Sequence, residues 1–358
     1  MLAESVDVVV GVDTHRDKHA IAAVRSFDGA LLASLSISAD ADGYRAAAAF
    51  ADEHATPTRA WALEGSGCYG AGLARFLTAR GERVIEVDRP TRAEGRTNAK
   101  SDELDAARAA RTTLGREAHP RPRINPTHDA LRALVSTRDG AISARTAAIN
   151  QLRALIVTAP ERIRERLRDQ TVPTLVLRAR RLRVPQKSSV DEHAMILAIR
   201  LATRRVDQLT READTLERAI RTLVTSTAPQ LLAEPGIGPL TAAQILISWS
   251  HHGRIRSEAA FARLAGAAPI PASSGQTTRY RLDRGGDRKL NRTLHTIIPS
   301  RLQHDPRTST YAAQAKLRGK TRRDTIRILK RYLARHLYRL LEHPTTATPN
   351  TTTTGPST

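Results

Sequence analysis

The chain contains a single cysteine, Cys68, in 358 residues. That excludes an internal disulfide and any zinc site built from cysteine thiolates. Aromatic side chains make up only 3% of the sequence, too few for a protein that reads single strands by stacking bases on Phe, Tyr or Trp. The N-terminus lacks the form of a signal peptide, and no apolar run has the length of a membrane span. A cytoplasmic protein with no membrane partner is expected, nucleoid-associated when active. Lysine is scarce as well, at seven of the 57 basic residues.

What is present is arginine. Lys plus Arg outnumber Asp plus Glu by 57 to 36, for a formal charge of +21 and a pI near 11.2. A surplus of that size implies a polyanionic partner whose phosphates are neutralised in a salt-sensitive way, and the planar arginine fork suits phosphate. Nucleic acid is the leading candidate, recognised through backbone and shape.

The chain is organised around Val6 to His15, VDVVVGVDTH. Val8, Val9 and Val10 are β-branched on both faces of an expected strand, which suits one covered on both sides. Gly11 permits close approach of a neighbour, and Asp13 arrives at the strand end. From there the elements read strand, strand, strand, helix, strand, helix, strand, helix. Strands are expected at His19 to Ser26, Leu31 to Ile37, Arg59 to Leu63 and Arg83 to Val87. Helices are expected at Asp40 to His54, Tyr69 to Ala79 and Ser101 to Leu114, with a hairpin turn at Asp28-Gly29. Three strands joined by tight turns, then two reached through helical crossovers, is the order of an α/β RNase H-like (RuvC-like) domain.

Four acids fall at telling places. Asp13 and Glu64 each close a strand, while Asp102 and Asp105 lie three apart at the start of a helix, on one face. Converging on one pocket, four carboxylates suit two hard divalent cations for phosphoryl transfer. The plainer alternatives are an Asp13 turn through Thr14, a helix cap at Ser101 and Asp102, and a surface acid at Glu64.

Residues 120 to 127, PRPRINPT, mark a boundary, so 1–122 is expected to be the catalytic domain. An α-helical, coiled-coil region is expected over 123–228, beginning with a long helix from His128 to Thr158 and continuing through the basic runs ERIRERLR and RARRLR. Met195, Ile199, Ala202, Val206, Leu209, Ala213, Leu216, Ile220 and Leu223 recur at alternating spacings of four and three, the pattern of a coiled-coil seam. The composition of that seam favours two strands, parallel if the helices pair directly, and hence a homo-oligomer, dimer or tetramer. A helix packed inside its own domain is the alternative.

A mainly α domain is expected over 229–342 and a disordered Thr- and Pro-rich tail over 343–358. EPGIGP, with Gly236 and Gly238, resembles the turn of a helix-hairpin-helix, whose free amides can receive a DNA phosphate. Gly-Pro turns between ordinary helices are also common. Farther on, Ser273 and Ser274 precede a cluster of Arg279, Arg281, Arg284, Arg288 and Lys289. A hydroxyl beside fixed cations can attack a phosphodiester while the cations bind its oxygens; a plain Ser-Ser-Gly turn beside a DNA-contacting strand is the alternative.

With these motifs in view, the chain to about residue 340 resembles the DEDD transposases of bacterial insertion sequences, the group that includes the Piv DNA invertase. The text that carries the likeness is GVDTHRDKH, EGSGCYG, KSDELDA, PGIGPLTAA and PASSGQTTRYRLDRGGDRKLNRTL, in this order and spacing. The chain departs from many relatives at Ala267-Ala268-Pro269, where they carry Gly-Leu-x-Pro. The resemblance implies a RuvC-like domain joined through a helical region to a smaller C-terminal serine transposase domain. It also implies Mg2+, as two ions, on Asp13, Glu64, Asp102 and Asp105, with Ser274 as nucleophile ahead of Ser273. Excision and insertion of an element in donor and target DNA are implied, guided by a bridge RNA.

Three other functions fit parts of this pattern. A Mg-dependent, structure-specific DNA nuclease of the Holliday-junction resolvase kind would use activated water in place of Ser274. A nonenzymatic nucleic-acid-binding protein would keep the fold without the chemistry, and an actin-like ATPase would share the opening strands but need a later phosphate loop. Ser274 and the acids lie far apart in sequence, and a site completed between subunits is expected.

Overall fold

A computed structural model describes residues 2–55, 58–87, 102–116, 119–122, 125–271, 280–281 and 285–343. The chain divides into two compact units, Met1–Asn125 and Pro126–Thr358.

The first unit opens with a short 3-10 turn, Leu2–Glu4, and then runs β1 (Val8–Thr14), β2 (Lys18–Arg25), β3 (Leu31–Ser38), α1 (Ala41–His54), β4 (Arg59–Glu64), α2 (Ala71–Ala79), β5 (Val84–Val87) and α3 (Asp102–Leu114). The strands form one mixed sheet in the order β3-β2-β1-β4-β5. β2 is antiparallel to both β1 and β3, and β4 is parallel to both β1 and β5. Tight turns permit the antiparallel meander, whereas each parallel addition requires a crossover through a helix. The β2–β3 turn passes through Gly29 at φ +72°, a conformation that glycine adopts without steric cost.

Alternation sorts β1 between two cores. Val8, Val10 and Val12 pack with Trp61, Leu63 and the apolar faces of α1 and α2. Val9 packs on the opposite face with Ala20, Ala22, Ala60, Ala62 and the alanines of α3, Ala106, Ala107, Ala109 and Ala110. Small residues on both sides of this second layer let α3 lie close to the sheet. A Cβ on Gly11 would stand 1.9 Å from the carbonyl oxygen of Ala106, so glycine is required for that approach. On the α1/α2 side, a charged cluster closes the edge. Arg59 donates to Glu82 Oε1 at 2.6 Å and Trp61 Nε1 donates to Glu82 Oε2 at 3.0 Å. These bonds, the one from Arg59 foremost, hold the Glu82 carboxyl below its ordinary range.

The second unit begins with α4 (Pro126–Val157), α5 (Glu161–Leu167), α6 (Val172–Arg180) and α7 (Val190–Thr227). Cross-bonds from Arg138 to Glu217 and from Arg205 to Gln151 place α4 and α7 antiparallel along their length. The rest is α8 (Pro229–Leu232), α9 (Pro239–Trp249), α10 (Glu258–Leu264), a small antiparallel pair of β6 (Ile270–Pro271) and β7 (Tyr280–Arg281), then α11 (Arg288–His304), α12 (Pro306–Leu317) and α13 (Arg322–Glu342).

The seam on α7 faces inward. Ile199, Ala202, Val206, Ala213 and Ile220 are buried, and α4 supplies the opposing apolar residues Leu131, Val135, Ala141, Ala148, Leu152 and Ile156. The expected parallel seam with a second copy is therefore replaced by an antiparallel pair within one chain. The physical reason is that α4 offers a matching apolar stripe, and the intervening α5 and α6 allow the chain to return. Leu131, Val135, Ile220 and Val224 join the core of α9, α11 and α13 at one end of the hairpin. At its other end, Leu152, Ile156, Ile196 and Ile199 join α5 and α6. Because the hairpin base shares a core with the later helices, residues 123–228 and 229–342 do not separate into independent bodies.

Candidate metal centre and nucleic-acid surface

The first unit brings its acids to one edge of the sheet. Asp13 shares the Val9 and Gly11 face of β1 through the two-residue period, so it points to the side covered by α3. In the parallel β1–β4 pairing Val12 lies beside Leu63, so the chain positions one step later are Asp13 and Glu64. Glu64 alternates with Ala60 and Ala62 onto the same face. Thr14, on the other face, donates its hydroxyl to the Glu64 carbonyl at 2.8 Å and ties the two strand ends together. Thr14 therefore braces Glu64; it does not turn back on Asp13.

Contact of Ala106 with Gly11 sets the rest. Asp102 and Asp105 lie in the first turn of α3, one turn before that contact. Asp13 Oδ2, His15 Nε2 and an Asp102 oxygen lie within 4.8 Å of one another. His15 Nε2 is 3.1 Å from Asp13 Oδ2 and 3.7 Å from Asp102 Oδ1, and Lys18 Nζ is 3.8 Å from Asp102 Oδ2. Asp105 pairs with Arg108 at 2.5 Å.

Asp13 is more enclosed than Asp102 and Asp105, its side chain 13% exposed against 50% and 31%. Burial pushes its carboxyl above the ordinary range. His15 pulls it back, and the negative charges of Asp105 and Asp102 push it up again. A half-enclosed carboxylate with like charges beside it favours a bound cation, and the donors are hard oxygens. The residues present thus fit a divalent ion, with ligand atoms of Asp13, His15 and Asp102 gathered; Glu64 and Asp105, expected beside them, lie outside that group of ligand atoms. His15 and Lys18 were not singled out from sequence. The signal for His15 is the D-T-H spacing, which returns its side chain to the face of Asp13 in extended backbone.

The remaining expected site residues belong to the second unit. Ser273, Ser274, Arg279 and Arg284 lie outside the described residues, as does Ser101 in the first unit, and Arg281 is described by its backbone alone. Ile270 pairs with Arg281 and Pro271 with Tyr280, so the segment carrying Ser274 joins two antiparallel strands. Its exit is anchored through Asp287, which caps α11 by accepting from the amides of Lys289 and Leu290 and also accepts from Ser248 at 2.6 Å. Its entry is anchored through Asn291, which donates to the Ala265 carbonyl at 2.6 Å and accepts from the buried Lys330 at 2.6 Å. Arg288 is exposed, and Lys289 pairs with Asp139 at 3.3 Å.

The glycine turn is built differently from the expected helix-hairpin-helix. The helix before it, α8, has four residues. Gly236 sits at φ +76°, and the Gly238 amide donates to the Thr241 hydroxyl at 2.9 Å. Glu234 and Pro235 are tied to α11 by Arg301, at 2.6 and 2.9 Å. The turn's bonds serve the core, and the Gly238 amide is already engaged.

Comparison with known proteins gives the class first. A family model described as a transposase, the DEDD type of IS110, matches residues 10–159, which include Asp13, Glu64, Asp102 and Asp105. A second model, described as transposase of the IS116/IS110/IS902 family, matches residues 228–313. The two segments, in this order along the chain, are thus each similar to transposases of the IS110 group. The chain is similar to the uncharacterised 43.6 kDa protein of insertion element IS110 from Streptomyces coelicolor, 31% identical over 119 residues. That match covers 33% of this chain and 29% of the relative, so the chain aligns with less than a third of that protein. Among the described residues no helix is long and apolar enough to cross a membrane.

Proposed function

We propose that this protein is a DNA transposase that excises and inserts a mobile element by cleaving and rejoining strands through a phosphoserine link. The observation that carries this reading is the gathering of Asp13, Asp102 and His15 at the end of β1, beside Glu64 and Asp105, within the matched transposase segment. The order of the five-stranded sheet supports an RNase H-like first unit. Mg2+ bound on these acids, as two ions, would supply charge neutralisation at the scissile phosphate.

In this reading the chain's own residues do the rest. Asp13, Glu64, Asp102 and Asp105 fix the position of the phosphate through what they hold. The Ser274 hydroxyl attacks phosphorus, forming a serine ester as one strand P–O bond breaks and the leaving strand end takes the proton as a hydroxyl. The ester conserves the bond energy for rejoining, as a recombinase needs. Arg279, Arg281, Arg284, Arg288 and Lys289 contribute cations for donor and target DNA or for a bridge RNA, which would carry sequence specificity by pairing. Self-association is part of the proposal, through a surface other than the α7 seam.

The test is denaturing-gel trapping on labelled element-junction DNA with Mg2+ and RNA from the flanking noncoding region, comparing wild type with Ser274→Ala. A covalent band present in wild type and lost in the variant supports serine recombination. Cleavage without a band, unchanged by Ser274→Ala, would reassign the protein as a nuclease using activated water.

A further inference from the structure

We propose that His15 is itself a metal ligand, so that the ion held by Asp13 and Asp102 has a nitrogen in its first coordination shell. The proposal rests on the reading that these acids hold a divalent cation. It goes beyond the four-carboxylate set, because the first ion then has a mixed donor set.

Geometry carries the inference. β1 ends at Thr14, and His15 follows in the short connection to β2, where its amide donates to the Lys18 carbonyl at 3.1 Å. The ring is turned toward the acids, with Nε2 3.1 Å from Asp13 Oδ2 and 3.7 Å from Asp102 Oδ1. Two donors on one magnesium-sized ion, each roughly 2.1 Å from it, stand at most about 4.2 Å apart. Both His15 separations meet that limit as they stand. Asp102, half-exposed at the first residue of α3, has room to adjust. The placement of Lys18 near Asp102 Oδ2 leaves Oδ1 as the oxygen directed toward His15.

Chemistry distinguishes this arrangement from one with oxygen donors alone. Imidazole is a softer donor than carboxylate and shifts preference from Mg2+ toward later first-row ions. Neutral imidazole with its proton on Nδ1 presents the Nε2 lone pair to the ion. Protonated instead, His15 would serve as a counter-charge to the acids, and the experiment separates the two roles.

Mn2+ alone is titrated into the full-length protein and followed by electron paramagnetic resonance, with pulsed detection of ligand-nitrogen hyperfine coupling. Wild type, His15→Gln and Asp13→Asn are compared, circular dichroism serving as the folding control. The expected result is nitrogen coupling in wild type, loss of that coupling in His15→Gln with Mn2+ affinity about tenfold weaker, and loss of binding in Asp13→Asn. Mg2+ affinity, read by competition, should fall less than Mn2+ affinity in His15→Gln. Binding that depends on Asp13 but shows no nitrogen coupling, or coupling that survives His15→Gln, would overturn the His15 assignment while leaving the acidic site intact. Mn2+ binding indifferent to Asp13→Asn would overturn the metal centre as well.

Discussion

Substituting Gly11 with alanine tests how the first unit assembles its acids. The added Cβ would meet the Ala106 carbonyl oxygen at 1.9 Å and the Ala110 amide nitrogen at 2.9 Å. Ordinary contact begins near 3.4 Å, so α3 must retreat by about 1.5 Å from the sheet. Both obstacles are backbone atoms of a regular helix, with no flexible side chain to swing aside. Overpacking of a well-packed core costs about 1 to 3 kcal/mol, and this site belongs at the upper end or beyond. For a unit of this size that is a drop of about 10 °C or more in its melting temperature. The same retreat carries Asp102 and Asp105 away from Asp13, so Mn2+ affinity should weaken about 10- to 100-fold. The two tryptophans, Trp61 and Trp249, fall in different units, and Trp61 is fully buried against β1 and α2. Unfolding of the first unit is therefore followed by Trp61 fluorescence in a Trp249→Phe background, beside a Mn2+ titration. Gly11→Ala protein that unfolds at the parent temperature and binds Mn2+ unchanged would refute the role assigned to the α3–β1 contact.

Further consequences follow from other parts of the chain. Glu82, whose carboxyl is held below its ordinary 4.5 chiefly by Arg59, contributes stability that is present above that value and is lost as pH falls through its lowered folded value. Glu82→Gln should cost about 3 kcal/mol at neutral pH, and the gap from wild type should narrow in chemical denaturation as pH falls below 4.5 and through the lowered folded value; a gap independent of pH would count against it. Ile199→Ala should destabilise the second unit by about 2 to 5 kcal/mol, by an amount independent of protein concentration, because its partners are Leu152 and Ile156 of the same chain. Concentration-dependent melting introduced or removed by this change would instead place Ile199 at an interface between copies.

The sheet and its acids were readable in the sequence because local rules act on them directly. Valine runs, the Asp28-Gly29 turn and the alternation of side chains place Asp13 and Glu64 at strand ends without knowledge of what packs on them. Gly11 was readable as a point of close approach, but the approaching element was not, since α3 is distant in the chain. His15 was missed for the same reason: its importance appears only when Asp102 arrives beside it. The α7 seam shows a different limit. Heptad spacing specifies an apolar stripe and is silent about whether the covering helix belongs to the same chain. The buried stripe of α4 is irregular, with gaps at Ala141 and Ala148, and the Arg residues of its polar face dominate the pattern. Gly236 and Gly238 formed a weak motif, and their meaning was decided by Thr241, Arg301 and Glu234, whose bonds depend on the folded core.

The helical hairpin has a mechanical consequence. At 1.5 Å per residue, the 32 residues of α4 and the 38 of α7 make a stiff rod about 50 Å long. Its base is clamped in the core of α9, α11 and α13. Its other end carries α5 and α6, with Arg162, Arg166 and Arg168 exposed there. Over such a length, a tilt of about 5° at the base sweeps the far end through roughly 4 Å. A barely perceptible rotation among the core helices is thus amplified into a displacement of several ångströms in the guanidinium groups at the tip.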